Sequence, residues 1–141
     1  ASASGEGLPR AVALYGSLTR QLADPASFAS RLKHMFSVRQ AYGIAASRQL
    51  PIPDVLTPSL LIMMHELPAG RGIQITALNF GPDPVEETIV LEHVPPGPVV
   101  DMLNESVEGD LSEDGRLLIR LDGYEGLSLR VVGTAGPTPG A

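Results

Sequence analysis

The chain has 141 residues, a formal net charge of −6, 43 % hydrophobic and 18 % charged residues, and neither cysteine nor tryptophan. That length bounds one domain-sized core, the acid excess without any basic run argues against nucleic acid and anionic membrane, and the lack of cysteine excludes disulfides and thiolate metal sites. Glycine and proline are 15 and 13, or 28 of 141, about a fifth of the chain against roughly an eighth on average, too many breakers for a helical bundle.

In chain order, residues 1–8 are small and polar and read as a linker, with neither the basic start nor the apolar stretch of a signal peptide. The chain begins without an initiator Met, which suggests processing or a piece of something longer. Residues 9–46 form a helical segment. Within it, Val12, Leu14, Tyr15, Leu18 and Leu22 give one or two short turns, interrupted at Gly16. Residues 25–42 are the clearest helix: Asp24 suits the N-cap, Pro25 suits N1, and Gly43 can take the left-handed turn that ends it. Phe28, Leu32, Met35 and Phe36 recur at helical spacing and make one apolar face.

Beyond Gly43 the texture changes. Pro51, Pro53 and Pro58 space out an extended connector, and residues 54–132 then read as a β domain. Strand-like runs fall at 60–67, 73–80, 85–92, 99–102, 117–121 and 127–132. Ala69-Gly70-Arg71-Gly72 predicts a hairpin between the first two runs, and Asp114-Gly115 predicts a tight turn. Ile73, Ile75 and Ala77 alternate with Gln74 and Thr76, the period of a half-buried strand. Short strands without crossover helices mean a mainly β fold, an antiparallel sandwich preceded by an amphipathic helix. Residues 133–141 read as a flexible tail. The longest apolar run, Leu60 to Met64, is far short of the ~20 residues of a membrane span, and the cysteine-free chain is expected to be cytoplasmic.

The chemistry-bearing residues are few. Asp110, Ser112, Asp114 and Gly115 match the opening of a calcium loop, but the twelfth position, which needs a bidentate acid, is Leu121; a solvated acidic hairpin turn is the favoured reading. His34, His65 and His93 lack metal-ligand spacing. The pairs Glu86–Glu87 and Glu105–Glu108 read as surface charge, and no nucleophile elbow, P-loop or dinucleotide-binding glycine motif is present. Asn79 reads as a turn-capping amide. Sugar-binding β modules stack rings on exposed aromatics, whereas the aromatic content is 4 %, with Phe80 and Tyr124 the aromatics of the C-terminal half. No catalytic residue and no cofactor is expected in this chain.

Two stretches carry a resemblance. The first runs from Pro9 to Ala45. The second runs from Gly72 to Val132 and contains Ile75-Thr76-Ala77-Leu78-Asn79-Phe80-Gly81 and Leu121-Asp122-Gly123-Tyr124-Glu125-Gly126-Leu127. Together they resemble the C-terminal region of trehalose synthase, or maltose α-D-glucosyltransferase, in the α-amylase superfamily; the Pro-Pro usual before the final Tyr is Asp122-Gly123 here. The resemblance implies that the helix ends a (β/α)8 catalytic barrel and that the sandwich is the domain behind it. Phe28, Leu32, Met35 and Phe36 would then pack against a barrel outside this sequence. It further implies a parent enzyme that isomerises maltose to trehalose by retaining intramolecular glucosyl transfer, with calcium and a maltose kinase as possible companions of that parent. The alternative is a free-standing β-sandwich binding or docking module without enzymatic activity.

Overall fold

The structure is a computed structural model and describes residues 15–132. Its contacts divide the chain into two units, residues up to 36 and residues from 37 onward.

The first unit is helical. Gly16 takes a left-handed conformation (φ 83°), and the Ser17 hydroxyl accepts the Arg20 amide to open α1, Leu18–Ala23. The second helix, α2, spans Phe28–Ala41 and starts later than residue 25. The reason is local. The Asp24 carboxylate accepts the Ala26 amide at 2.9 Å, closing a turn around Pro25 instead of capping a helix. Ser27 supplies the cap, its hydroxyl accepting the Ser30 amide at 3.2 Å. The hydroxyls of Ser27 and Ser30 donate to the Gln21 carbonyl at 2.5 and 3.0 Å, joining the two helices, and the Tyr15 ring stacks on Phe28 at 5.8 Å. No residue of α1 or α2 is buried.

The second unit begins with the last turn of α2. Gly43 stops the helix in the left-handed region (φ 65°), as its position in the sequence suggests. Arg71 donates to the orphan Ala41 carbonyl at 2.7 Å, and the Arg130 guanidinium lies 5.2 Å from the centre of the Tyr42 ring.

Eight strands follow, all antiparallel: β1 Arg48–Gln49, β2 Leu60–Glu66, β3 Ile73–Asn79, β4 Val85–Val90, β5 Gly97–Asp101, β6 Val107–Leu111, β7 Arg116–Leu121 and β8 Gly126–Val131. They make a six-stranded sheet in the order β1-β2-β3-β8-β5-β6 and a two-stranded sheet of β4 and β7. This is the antiparallel sandwich the strand pattern predicts. The β2–β3 hairpin forms as expected, with Leu60 opposite Asn79 and Glu66 opposite Ile73. Between the sheets lies an aliphatic core that includes Ile62, Met64, Ile75, Ala77, Ile89, Ile119, Leu129 and Val131. All six aromatic residues stay outside it.

Three features differ from the pattern. β6 is a strand the sequence does not announce, because only Leu111 of its five residues is buried and no alternation marks it. The Asp114-Gly115 turn is not a hairpin: it carries the chain from β6 in one sheet to β7 in the other. Gln74 is 6 % exposed instead of solvated, and its amide donates to the Ser128 hydroxyl at 2.9 Å. Burial on this second face of the sheet requires such a partner.

Candidate functional site

A groove of about 730 Å³ lies beside the proline-spaced connector, within the usual range of ligand pockets. Leu50, Ile52, Met64, Leu91 and Val94 give it an apolar lining, and Asp54, Glu92 and the Arg48–Glu66 ion pair (2.5 Å) add charge. The Leu50 amide donates to the Met64 carbonyl at 2.9 Å, anchoring one end of the connector. Glu87 anchors the other. From β4, one carboxylate oxygen accepts the Leu56 amide at 2.5 Å and the other the Thr57 amide at 2.9 Å. Desolvation pushes the Glu87 carboxyl up, but the Thr57 side chain and these two amides outweigh it and hold the group below its ordinary 4.5.

A second construction lies at one end of the sandwich. Asn79, only 3 % exposed, ends β3 and stitches two turns together. Its amide nitrogen donates to the carbonyls of Asp83 (2.8 Å) and Asp122 (2.9 Å), and its oxygen accepts the Gly81 amide (2.9 Å). The Tyr124 amide donates to the Gly81 carbonyl at 3.0 Å, and the Asn79 amide to the Glu125 carbonyl at 2.9 Å. Asn79 is thus a turn-capping amide, as its type suggests, but it caps across the fold as well as locally. Phe80 and Tyr124 sit on these joined turns, and the spacing in sequence gives no sign of it.

The structure places the remaining candidates as follows. Asp110 lies in β6, the Ser112 hydroxyl donates to Asp114, and Asp114 pairs with Arg116 at 3.1 Å. The Ser112 hydroxyl is the main cause holding the Asp114 carboxyl below its ordinary value. His34 lies in α2, His65 in β2 and His93 beyond β4. Among the described residues no three His, Cys, Asp or Glu side chains gather as a metal site. On α2, Phe28 and Phe36 are each 60 % exposed, and Leu32 and Met35 are exposed too. Leu18 and Leu22 of α1 and Tyr15 are also exposed, extending the apolar character of the first unit. No helix among the described residues is long and apolar enough to cross a membrane.

Glu87 and Asp114 are both held as carboxylates, the wrong direction for a general acid. Backbone and hydroxyl donors occupy these carboxylates.

No protein-family profile and no curated protein sequence matches the chain. Solved structures do match in fold. An α-amylase from Anoxybacillus matches with a TM-score of 0.60 at 12 % identity, over 77 % of this chain and 23 % of that one. AmyP, solved in complex with maltose, matches with a TM-score of 0.58 at 16 % identity, over 74 % of this chain and 21 % of that one. A GH27 β-L-arabinopyranosidase from Geobacillus stearothermophilus matches with a TM-score of 0.51 at 11 % identity, over 66 % and 20 %. The likeness is one of fold, and this chain spans about a fifth of the length of those it matches.

Proposed function

We propose that this chain is the C-terminal, non-catalytic portion of a maltose-to-trehalose isomerising enzyme, in which it supports a catalytic (β/α)8 barrel carried elsewhere in the polypeptide. The observation that carries the reading is the exposed apolar surface of the helices: Phe28, Leu32, Met35 and Phe36, with none of the residues of α1 or α2 buried. Such a face needs a partner. The fold likeness to α-amylase chains several times longer supports the reading, as do the resembling stretches. In this reading the retaining chemistry, which needs two carboxyl groups about 5 Å apart, belongs to the barrel. A chain without a cofactor of its own, a maltose kinase partner and a cytoplasmic location belong to the same proposal.

The test uses the full-length gene product. It is expected to convert maltose to trehalose, and the 141-residue chain is expected not to. Phe28→Asp with Phe36→Asp is expected to lower the temperature at which full-length activity is lost, while leaving the melting temperature of the 141-residue chain unchanged. A full-length protein that leaves maltose intact, or a double variant as heat-resistant as the parent, would refute the proposal. The groove at the connector favours one other reading, a free-standing binding module, for which a monodisperse monomer with no upstream barrel is the expected result.

A further inference from the structure

The geometry points to a carbohydrate-binding platform built from Phe80 and Tyr124 on the joined turns at the Asn79 end of the sandwich. Four observations converge on it. The rings are 64 % and 74 % exposed, in a fold that needs no aromatic for its core. Their turns are fixed by the buried Asn79 side chain and by the Tyr124–Gly81 and Asn79–Glu125 backbone bonds, so little order is lost when a ligand settles on them. Tyr124 adopts a left-handed backbone (φ 58°), where glycine or asparagine would sit without strain. A bulky residue kept in such a conformation and left facing solvent points to function more than to packing. Finally, a cleft of about 400 Å³ borders the turn that carries Tyr124, with Asp122 and Glu125 of that turn, Glu86 and Arg120 in its lining.

The chemistry selects the ligand. An exposed ring offers a flat apolar face of the kind the C–H face of a pyranose covers. The carboxylates of Asp122 and Glu125 line the cleft and accept hydrogen bonds, one Glu125 oxygen already taking the Asp122 amide at 2.6 Å and the other oxygens open to sugar hydroxyls. Phosphorylated or acidic ligands are disfavoured, because these carboxylates repel them and the one cation of the cleft, Arg120, is already held by Glu86 at 2.6 Å. A neutral oligosaccharide satisfies both rings and acceptors. The choice of an α-glucan among neutral saccharides rests on the function proposed above. The platform would hold such a chain away from the catalytic centre, as a surface site.

The experiment is affinity electrophoresis of the 141-residue chain in gels containing soluble starch, with calorimetric titration by maltoheptaose. The wild type is expected to be retarded, and Phe80→Ala or Tyr124→Ala to weaken binding by about tenfold, the scale of one lost aromatic contact. Tyr124→Phe keeps the ring and is expected to bind. Tyr124→Gly relieves the left-handed strain and is expected to lose binding with no fall in melting temperature, which a merely structural tyrosine would not do. The proposal is overturned if the wild type passes through starch gels unretarded, or if the alanine variants bind as it does. It is also overturned if Phe80→Ala and Tyr124→Ala destabilise the full-length protein without touching glucan affinity, the mark of a protein interface. Maltose conversion by the full-length protein is scored separately, so loss of the platform and loss of the isomerase reading are distinct results.

Discussion

Replacing Asn79 by Asp changes one atom group at the centre of the stitched turns. The new side chain keeps an oxygen for the Gly81 amide but loses the donor that serves the Asp83 and Asp122 carbonyls at 2.8 and 2.9 Å. At neutral pH it also aims a carboxylate at those carbonyl oxygens from a site only 3 % exposed. Each stranded buried acceptor costs about 1–3 kcal/mol, so the pair costs about 4 kcal/mol before charge repulsion. With a urea slope of about 2 kcal/mol/M for a protein of this size, the unfolding midpoint should fall by about 2 M. The sign of the pH dependence follows. The folded state raises the pKa of this new carboxyl above its unfolded value of about 3.9, so the deficit is full above the folded pKa and shrinks as pH falls toward the unfolded one. Urea titrations of wild type and variant, followed by far-ultraviolet circular dichroism at pH 7 and pH 4.5, measure both effects. A loss below about 1 kcal/mol, or a difference from wild type that does not narrow at the lower pH, would refute the account of Asn79 as the joint of the two turns.

Three further predictions concern the connector, a close approach and the core. Glu87→Gln weakens two charge-assisted bonds to the connector, so hydrogen exchange at the Leu56 and Thr57 amides should quicken while global stability falls by about 1 kcal/mol. Because the folded Glu87 carboxyl titrates below 4.5, its contribution is complete above that value and is lost as pH falls through its folded pKa; in wild type the same two amides should loosen only in that acid range. Gly123→Ala would place a Cβ 2.0 Å from the Pro82 carbonyl oxygen, forcing the backbone apart; a loss of about 2 kcal/mol or more is expected in chemical denaturation, against a near-neutral result for Gly123→Ala if that approach is not maintained in solution. Ile75→Ala, at a side chain with 0 % exposure, should cost about 2–5 kcal/mol, whereas Leu56→Ala, 90 % exposed, should leave the thermal midpoint nearly unchanged.

The sequence made the sandwich legible because its core strands obey simple rules. Ile73, Ile75 and Ala77 alternate, Gly70 and Gly72 mark the hairpin, and Gly43 ends a helix in the conformation that only glycine adopts freely. What escaped did so for physical reasons. The sequence puts the start of α2 at residue 25 behind Asp24, but the Ala26 amide closes a turn onto the Asp24 carboxylate and Ser27 caps the helix instead. β6 hides because an edge strand exposed on both faces has no hydrophobic period. The burial of Gln74 depends on Ser128, 54 residues away, and the Glu87 clasp on amides 31 and 30 residues away. The turns that carry Phe80 and Tyr124 likewise meet through contacts far apart in sequence, the Asn79 bond to Asp122 spanning 43 positions. Local pattern records period and turns; it does not record which distant turns meet.

The position of β8 has a consequence for how the molecule is made. This strand is the last among the described residues, yet it lies in the interior of the larger sheet, pairing with β3 on one side and β5 on the other. During translation the β2–β3 hairpin can close early, since its partners are near in sequence. The β5–β6 pair, in contrast, can join that hairpin only after residues 126–131 have left the ribosome. Until then Ile75 and Val99, fully buried in the finished fold, remain on open strand edges. Release of β8 is therefore the committing step of assembly, and the nascent chain is most exposed to mispairing just before it.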